Sequence, residues 1–529
     1  MTPSKWIFPL AALALSLIAG CGLEDEVVFE RGLVVYLADQ DGDGAVELYV
    51  TDFDGVGTVR LSSAAAAGRP VTAFSLSPDQ SQVAYLADEN VAGQSDLYLV
   101  NIDGSGRVKA SGNPVAGGGV LSMAWAPDGN SVSYLAHQHS LASSELYLTF
   151  SDGTGNRRVS GPIIATQAIV EPAWSPDGAF IAYAVEENGK RFALQVHDLL
   201  LGGRNSTVIA AVPPTRGLRS RFEWAPDSTR VAFIADVVTL DHNDLYLAPA
   251  DGTGEVLVSD GVGPNQDVDE FKWSGDGRFV AYTRYVNGFR LAIHAHDIFG
   301  APLNFIQVSG TVQLNGTIGD YVWAPDNNRL AYISVERAPT EPELFLTSPA
   351  GPARLVSGDV GTGGQVVGFK WSPNGSRLAY QSKVFGTTLL PINTVVPDGL
   401  RDSVQVSGPL VAGGDILLGD YAWSGDSKRI TYRAAQETAG VYELYGTPGD
   451  HERDWVKVSG TMATGGDVVQ GGFQISGQGQ YVFYRADQEL DGTVALHRGR
   501  VDAHMRDTPV SPAPVAGNDV TGFTVLGAP

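Results

Sequence analysis

The hydrophobic positions of this chain fall into short runs, separated by turn residues at a nearly constant spacing. One phrase sets the pattern: Trp174-Ser175-Pro176-Asp177-Gly178, followed by the apolar Ile181-Ala182-Tyr183. Variants of it stand around Trp125, Trp224, Trp273, Trp323, Trp371 and Trp423. Pro presets φ at the second position of a β-turn, Asp tolerates the third, and Gly closes the fourth. Ala173-Trp174 before the turn and Phe180 to Tyr183 after it are strand formers. The phrase therefore predicts a tight hairpin between two antiparallel strands, A and B. Strand C follows, as in Asp96-Leu97-Tyr98-Leu99-Val100 or Glu145-Leu146-Tyr147-Leu148. A Gly-rich turn such as Asp103-Gly104-Ser105-Gly106 supplies the positive φ that a hairpin needs. Strand D then ends in Val-Ser, as at Val159-Ser160, Val258-Ser259 and Val308-Ser309.

The strand-B aromatic recurs at Tyr36, Tyr85, Tyr134, Tyr183, Phe233, Tyr282, Tyr332, Tyr380, Tyr432 and Tyr484, with spacings of 48 to 52 residues. Four strands per period of about 50 residues is the signature of a β-propeller. The first unit supplies strands B, C and D (Leu33–Tyr36, Glu47–Val50, Val59–Ser62) without a strand A. The last residues, Gly522-Phe523-Thr524-Val525, read as a lone strand A. Together they predict one composite blade that closes a ring and hides its edge strands. The fold expected is all-β: a propeller of about ten four-stranded blades, with two smaller propellers as the alternative.

The repeat accounts for residues 33–529, and what precedes it reads as targeting. Lys5 gives a positive start, Trp6 to Leu17 is an apolar run too short to span a bilayer comfortably, and small residues lead to Cys21. Cys21 is the single cysteine, so no intrachain disulfide can form. Leu17-Ile18-Ala19-Gly20-Cys21 resembles the lipobox of bacterial lipoproteins. That resemblance implies a signal peptide over 1–20, cleavage before Cys21, and lipidation of Cys21 on a short tether over 21–32. Several acyl chains make a stable membrane anchor. The resemblance extends to localisation: Gly22 stands where an Asp typifies inner-membrane retention in enteric bacteria, which points to the outer membrane.

Formal net charge is −24. So acidic a chain repels phosphate backbones, which argues against a nucleic-acid partner, and it gains nothing electrostatically from an anionic membrane face. The sharpest chemical pattern is Asp39-Gln40-Asp41-Gly42-Asp43-Gly44-Ala45-Val46-Glu47. Asp39, Asp41, Asp43 and Glu47 carry carboxylates at alternate positions around a Gly-enabled bend, the oxygen-rich arrangement calcium prefers. The loop resembles the calcium loops of integrin-type propellers. A solvated hairpin loop is the plainer reading, because Asp487-Gln488 echoes its opening without the Asp triplet. Two His-x-His pairs, His137/His139 and His294/His296, would each place both rings on one strand face, but no acid or Cys close in sequence completes a metal site around the first. The seven Trp residues that precede these turns, Trp125 to Trp423, read as inter-blade packing.

The Ser-Pro-Asp-Gly turn, the Ala-Tyr strand and the Asp/Glu-Leu-Tyr strand resemble the TolB-type, WD-like propeller repeat of bacterial envelope proteins, over about residues 33–525. The TolB family carries an additional α/β domain and a shorter, six-bladed propeller. The resemblance implies a cell-envelope propeller facing the periplasm or the cell surface, with a protein partner there. Three functions follow as expectations: a lipid-anchored scaffold binding a protein or ligand, an enzyme acting on envelope glycans or peptides from a channel site assembled by loops, or a structural module stabilised by calcium. No nucleophile elbow, zinc-protease or phosphate-loop motif is present.

Overall fold

The computed structural model describes residues 32–527, except 64–68, 162, 200–205, 213–216, 237–241, 260–265, 301–304, 314–315, 339, 359, 361, 384–386, 388, 398–402, 451–453, 504–506, 513–516 and 518. The expected signal peptide, Cys21 and its tether lie outside the described residues, apart from Gly32. Every regular element described is a strand, and the strands form ten four-stranded antiparallel sheets, each in the order D-C-B-A. Blades 2 to 10 span 71–109, 120–158, 167–211, 218–257, 266–307, 318–355, 365–405, 421–457 and 468–509. Blade 1 is composite: Leu33–Ala38, Glu47–Asp52 and Val59–Arg60 are joined by Val520–Leu526, with Val35 opposite Thr524 and Tyr36 opposite Phe523. The chain therefore makes one ten-bladed β-propeller, and the alternative of two smaller rings is set aside.

The turn chemistry works as the sequence predicts. Gly178 N–H donates to Ser175 O at 2.9 Å, and Gly178 takes a φ of +73°. Ser228, Asn327 and Ser427 hold the same left-handed place in their own turns. The Val-Ser ending of strand D also has a cause. Strand D is only two residues long in six blades, so the Ser hydroxyl extends the ladder by accepting a strand-C N–H. Leu97 donates to Ser111, Leu146 to Ser160, Leu245 to Ser259 and Leu444 to Ser459, all at 3.1–3.2 Å.

Blades are joined by a recurring latch. The hydroxyl of the strand-B tyrosine accepts the N–H of the glycine that follows Val-Ser in the preceding blade. Gly112 donates to Tyr134, Gly161 to Tyr183, Gly310 to Tyr332, Gly358 to Tyr380 and Gly408 to Tyr432, at 3.0–3.1 Å. The same hydroxyl exchanges a bond with the residue four places on: Gln138, Glu336, Gln436 and Gln488 in blades 3, 7, 9 and 10. A Cβ at Gly112, Gly310, Gly408 or Gly460 would come within 3.0 Å of that side chain. A larger residue there would have to displace the end of that Gln or Glu side chain, so glycine favours the latch through close approach and not through positive φ.

The apolar core is correspondingly divided into layers between blades. One layer joins Tyr36 and Phe53 of blade 1, Phe483 and Leu496 of blade 10, and Phe523 of the closing strand. Strands A of blades 2 and 3, 4 and 5, 6 and 7, and 10 and 1 touch one another, so strands A line the inside of the ring.

Two stability outcomes follow. Deleting residues 522–529 removes Phe523 from its core layer and leaves the inner edge of blade 1 unpaired. The loss of the aromatic alone is worth about 3–5 kcal/mol, so the melting temperature of the whole ring should fall. An unchanged melting curve would contradict closure by this strand. At the blade 7 latch, burial raises the Glu336 pKa above its ordinary 4.5, Glu343 adds to it, and the Tyr332, Ser334 and Gly310 donors oppose it. The folded state thus favours the protonated acid. The stabilisation it gives is complete below the unfolded value and is lost as pH rises through the raised folded value. Glu336→Gln, which copies the latch of blades 3, 9 and 10, should melt higher than the parent at neutral pH and lose that advantage in acid. A pH-independent difference would overturn this account.

Candidate functional site

The acidic loop of blade 1 comes together in part. One carboxylate oxygen from each of Asp39, Asp41 and Asp43 lies within 4.8 Å of the others. Asp39 is buried, and both its oxygens are engaged: Gly42 N–H donates to Oδ1 and Gly44 N–H to Oδ2, each at 2.8 Å. An Asp bonded to the N–H five residues on recurs as Asp88 with Gly93 (2.7 Å) and Asp487 with Gly492 (3.0 Å). Asp39 is therefore the anchor of a loop shape shared by blades 1, 2 and 10. Asp41 and Asp43 are exposed, and blade 10 carries Glu489 and Asp491 at the corresponding positions. Glu47 does not join them. It is fully buried at the start of strand C and accepts the Tyr49 hydroxyl at 3.1 Å. The expected four-acid set is corrected to three.

The histidines serve the repeat. His294 stacks on Tyr282 at 5.5 Å, in the place where other blades stack a strand-C tyrosine. His296 is buried, which lowers its pKa, with Asp297 opposing. No acid stands close to His137/His139 in sequence, but the fold brings one acid up: His139 Nδ1 lies 2.6 Å from Glu145 Oε2 and 2.7 Å from the Tyr147 hydroxyl. Arg158 holds the other Glu145 oxygen at 2.5 Å.

The tryptophans are inter-blade contacts, as expected. The indole N–H of Trp125 donates to Ser75 O, Trp174 to Ala124 O, Trp224 to Ala173 O, Trp323 to Lys272 O, Trp371 to Val322 O and Trp423 to Lys370 O, at 3.0–3.4 Å. Each acceptor belongs to strand A of the preceding blade. The seventh, Trp273, differs: its indole nitrogen is buried without a hydrogen-bond partner among the described residues.

Sequence reasoning missed a cavity at this same place. Strands A of blades 6, 7 and 8 (Gln266–Trp273, Ile318–Trp323 and Gln365–Trp371) end around a hollow of 720 Å³. Lys272, Trp273, Trp323, Phe369, Lys370 and Trp371 line it. Each strand carries a register irregularity just before its aromatic pair, between Val268 and Phe271, Ile318 and Tyr321, and Val366 and Gly368. Such bulges re-aim side chains. Those of blades 6 and 7 carry a chain of ion pairs. Arg290 meets Asp269 at 2.6 Å and Glu270 at 3.4 Å; Lys272 meets Glu270 at 3.4 Å and Asp320 at 2.8 Å. Lys272 also donates to Tyr321 O at 2.8 Å and lies 4.7 Å from the centre of that ring. The network remains accessible: the side chain of Asp320 is 56% exposed and that of Asp269 39%. Lys370 donates to Gly419 O at 2.9 Å and Tyr421 O at 2.5 Å. Burial lowers its pKa, and Asp420 opposes the shift. Blade 4 repeats the motif: Arg191 meets Glu171 at 2.5 Å, and Glu171 takes a φ of +52°.

No protein-family model matches this chain, and no curated protein resembles it. Solved structures do. Dipeptidyl peptidase 4 of Porphyromonas gingivalis is 12% identical with a TM-score of 0.48, over 75% of this chain and 64% of that one. An oligogalacturonate lyase in complex with manganese is 13% identical with a TM-score of 0.34, over 61% of this chain and 87% of that one. A structure described as TolB from Agrobacterium tumefaciens is 15% identical with a TM-score of 0.28, over 53% and 88%. The propeller fold itself is read from the ten sheets of this chain.

The three-acid loop gives a direct test. Sites of this kind are often weak, with Kd on the order of 10⁻⁴ to 10⁻³ M, and a ligand at a hundredfold its Kd stabilises by about 2.7 kcal/mol. Millimolar calcium should raise the melting temperature of the parent, magnesium at equal ionic strength should not, and Asp41→Ala with Asp43→Ala should abolish the rise. If calcium has no specific effect on the parent, the loop is an acidic hairpin only.

Proposed function

We propose that this chain is a lipid-anchored propeller of the bacterial cell envelope whose ring is a binding scaffold. The observation that supports binding is the cavity on strands A of blades 6 to 8: a concave, aromatic-lined hollow beside a few convergent polar groups, the usual make-up of a ligand site. Its size falls within the roughly 300–1,000 Å³ of such sites. The anchor rests on Ile18-Ala19-Gly20-Cys21, and the envelope setting on the resemblance to TolB-type repeats. The partner is an envelope component that reaches the inside of the ring.

Two measurements in cells test this reading. Cys21→Ser should move the protein from the membrane to the soluble fraction; retention on membranes after high-salt washing would refute the anchor. A photoreactive diazirine side chain at position 320, inside the ring, should form an adduct with a cell component. The same group at Val256, an exposed position on strand D of blade 5, should not. Equal labelling at both positions would remove the support for an inner binding site.

A further inference from the structure

We propose that the cavity of blades 6 to 8 is a saccharide site, taking a short, uncharged oligosaccharide. The inference rests on the binding reading above and adds the chemical class of the ligand. A pyranose ring is amphipathic: its C–H faces are apolar and its rim carries hydroxyls that both donate and accept. The cavity offers the matching pair of surfaces. Trp273, Trp323, Trp371 and Phe369 present apolar, polarisable walls. Lys272 and Lys370 in its wall are donors, and Asp320, paired with Lys272 at 2.8 Å, sets an acceptor carboxylate beside that wall.

The pairing of those charges decides the ligand's own charge. A lone Lys or Arg facing the hollow would point to an anion, and a lone carboxylate to a cation. Here Lys272 is held by Asp320 and Glu270, Arg290 beside the cavity by Asp269 and Glu270, and Lys370 in the wall by the carbonyls of Gly419 and Tyr421. An ionic ligand would have to compete with these bonds and leave one partner uncompensated, which is costly. A hydroxyl can donate to a carboxylate and accept from the adjacent ammonium without breaking the pair. The net charge of −24 adds a further bias against acidic sugars. The buried indole N–H of Trp273 is a donor that its six sisters spend on a carbonyl.

The test uses purified full-length protein and neutral hexasaccharides of glucose, N-acetylglucosamine and mannose, with tryptophan fluorescence and calorimetry as readouts. At least one should bind saturably. Asp269→Asn combined with Asp320→Asn keeps size and exposure while weakening the acceptors. It should retain the parent melting temperature and bind about tenfold more weakly, as expected for lost charge-assisted hydrogen bonds. Lys272→Met is the second variant and should weaken binding in the same direction. Saccharide binding that neither variant changes would place the sugar elsewhere and overturn the assignment. An anilinonaphthalene sulfonate dye or a trialanine peptide is the comparison probe. If one of these binds with sensitivity to the variants and no saccharide does, the saccharide class is wrong and the binding site stands. If no probe binds, both readings fall.

Discussion

The bond on which this architecture depends is the one between a buried tyrosine hydroxyl and a glycine N–H of the preceding blade. A propeller blade cannot bury its two faces alone; each face is covered by a neighbour. Apolar contact supplies most of the free energy but tolerates sliding. The latch fixes the offset. Tyr134, Tyr183, Tyr332, Tyr380 and Tyr432 each accept one main-chain N–H at nearly the same distance. Loss of the hydroxyl would leave a buried N–H unsatisfied, at about 1–3 kcal/mol per junction. The indole N–H bonds between successive strands A make a second set of ties nearer the axis. Where both ties are present, between blades 2 and 3, 3 and 4, 6 and 7, 7 and 8, and 8 and 9, two radii of attachment define a rotation between blades, and the ring closes with Val520–Leu526 at the edge of Leu33–Ala38.

Within the repeat, residues change together for electrostatic reasons. Blades 1, 3, 5, 7 and 9 open strand C with a buried acid, Glu47, Glu145, Asp244, Glu343 and Glu443. A buried carboxylate needs donors. Tyr49, Tyr147 and Tyr445 supply a hydroxyl two residues on, while Phe345, which has none, is answered by Arg337 bonding Glu343 at 3.1 Å. Blades 4, 6 and 10 carry Ala193, Ala292 and Ala495 instead, and the residues opposite the strand-B tyrosine become Gln195, His294 and His497. Where the acid is gone, the hydroxyl that served it is gone too. His294, one of the histidines that suggested a metal ligand in the sequence, is a product of this exchange.

This explains how far the sequence could be read. Blade number, strand order, the turns and the composite blade were legible because local chemistry encodes them: Pro-Asp-Gly for the turn, Val-Ser for the short outer strand, a tyrosine every 50 residues or so. The tryptophans were legible as packing for the same reason. Glu47 misled because spacing along a loop does not reveal which residue has already entered a strand and turned inward. The bond between His139 and Glu145 was missed because the hairpin folds them together across six residues. The cavity was beyond reach altogether. Its walls come from three units about 50 and 100 residues apart, and its ion pairs from bulges, which no period-two pattern signals.

The bulges also show why a repeat protein would place its chemistry there. The two aromatic positions at the end of strand A are committed: Phe271 and Trp273, Tyr321 and Trp323, and Phe369 and Trp371 hold blade to blade. The residue between the bulge and the first aromatic is not. It is Glu171 in blade 4, Glu270 in blade 6, Asp320 in blade 7, Gly368 in blade 8 and Gly522 in the closing strand. An L-residue in the left-handed region, as at Glu171, costs on the order of 1–3 kcal/mol, and the ring bears that cost where an Arg191–Glu171 pair meets the interior. Gly522 has neither a positive φ nor a close neighbour that a Cβ would strike, its nearest heavy atom being 3.9 Å away. Packing leaves these positions free to vary, and they vary between charged and bare. The framework repeats because the junctions reuse the same few contacts, the latch among them, although blade 5 carries Phe233 where the others have a tyrosine hydroxyl. The inner surface departs from the repeat because nothing in the framework depends on it, which is the condition under which binding chemistry can be added without unmaking the ring.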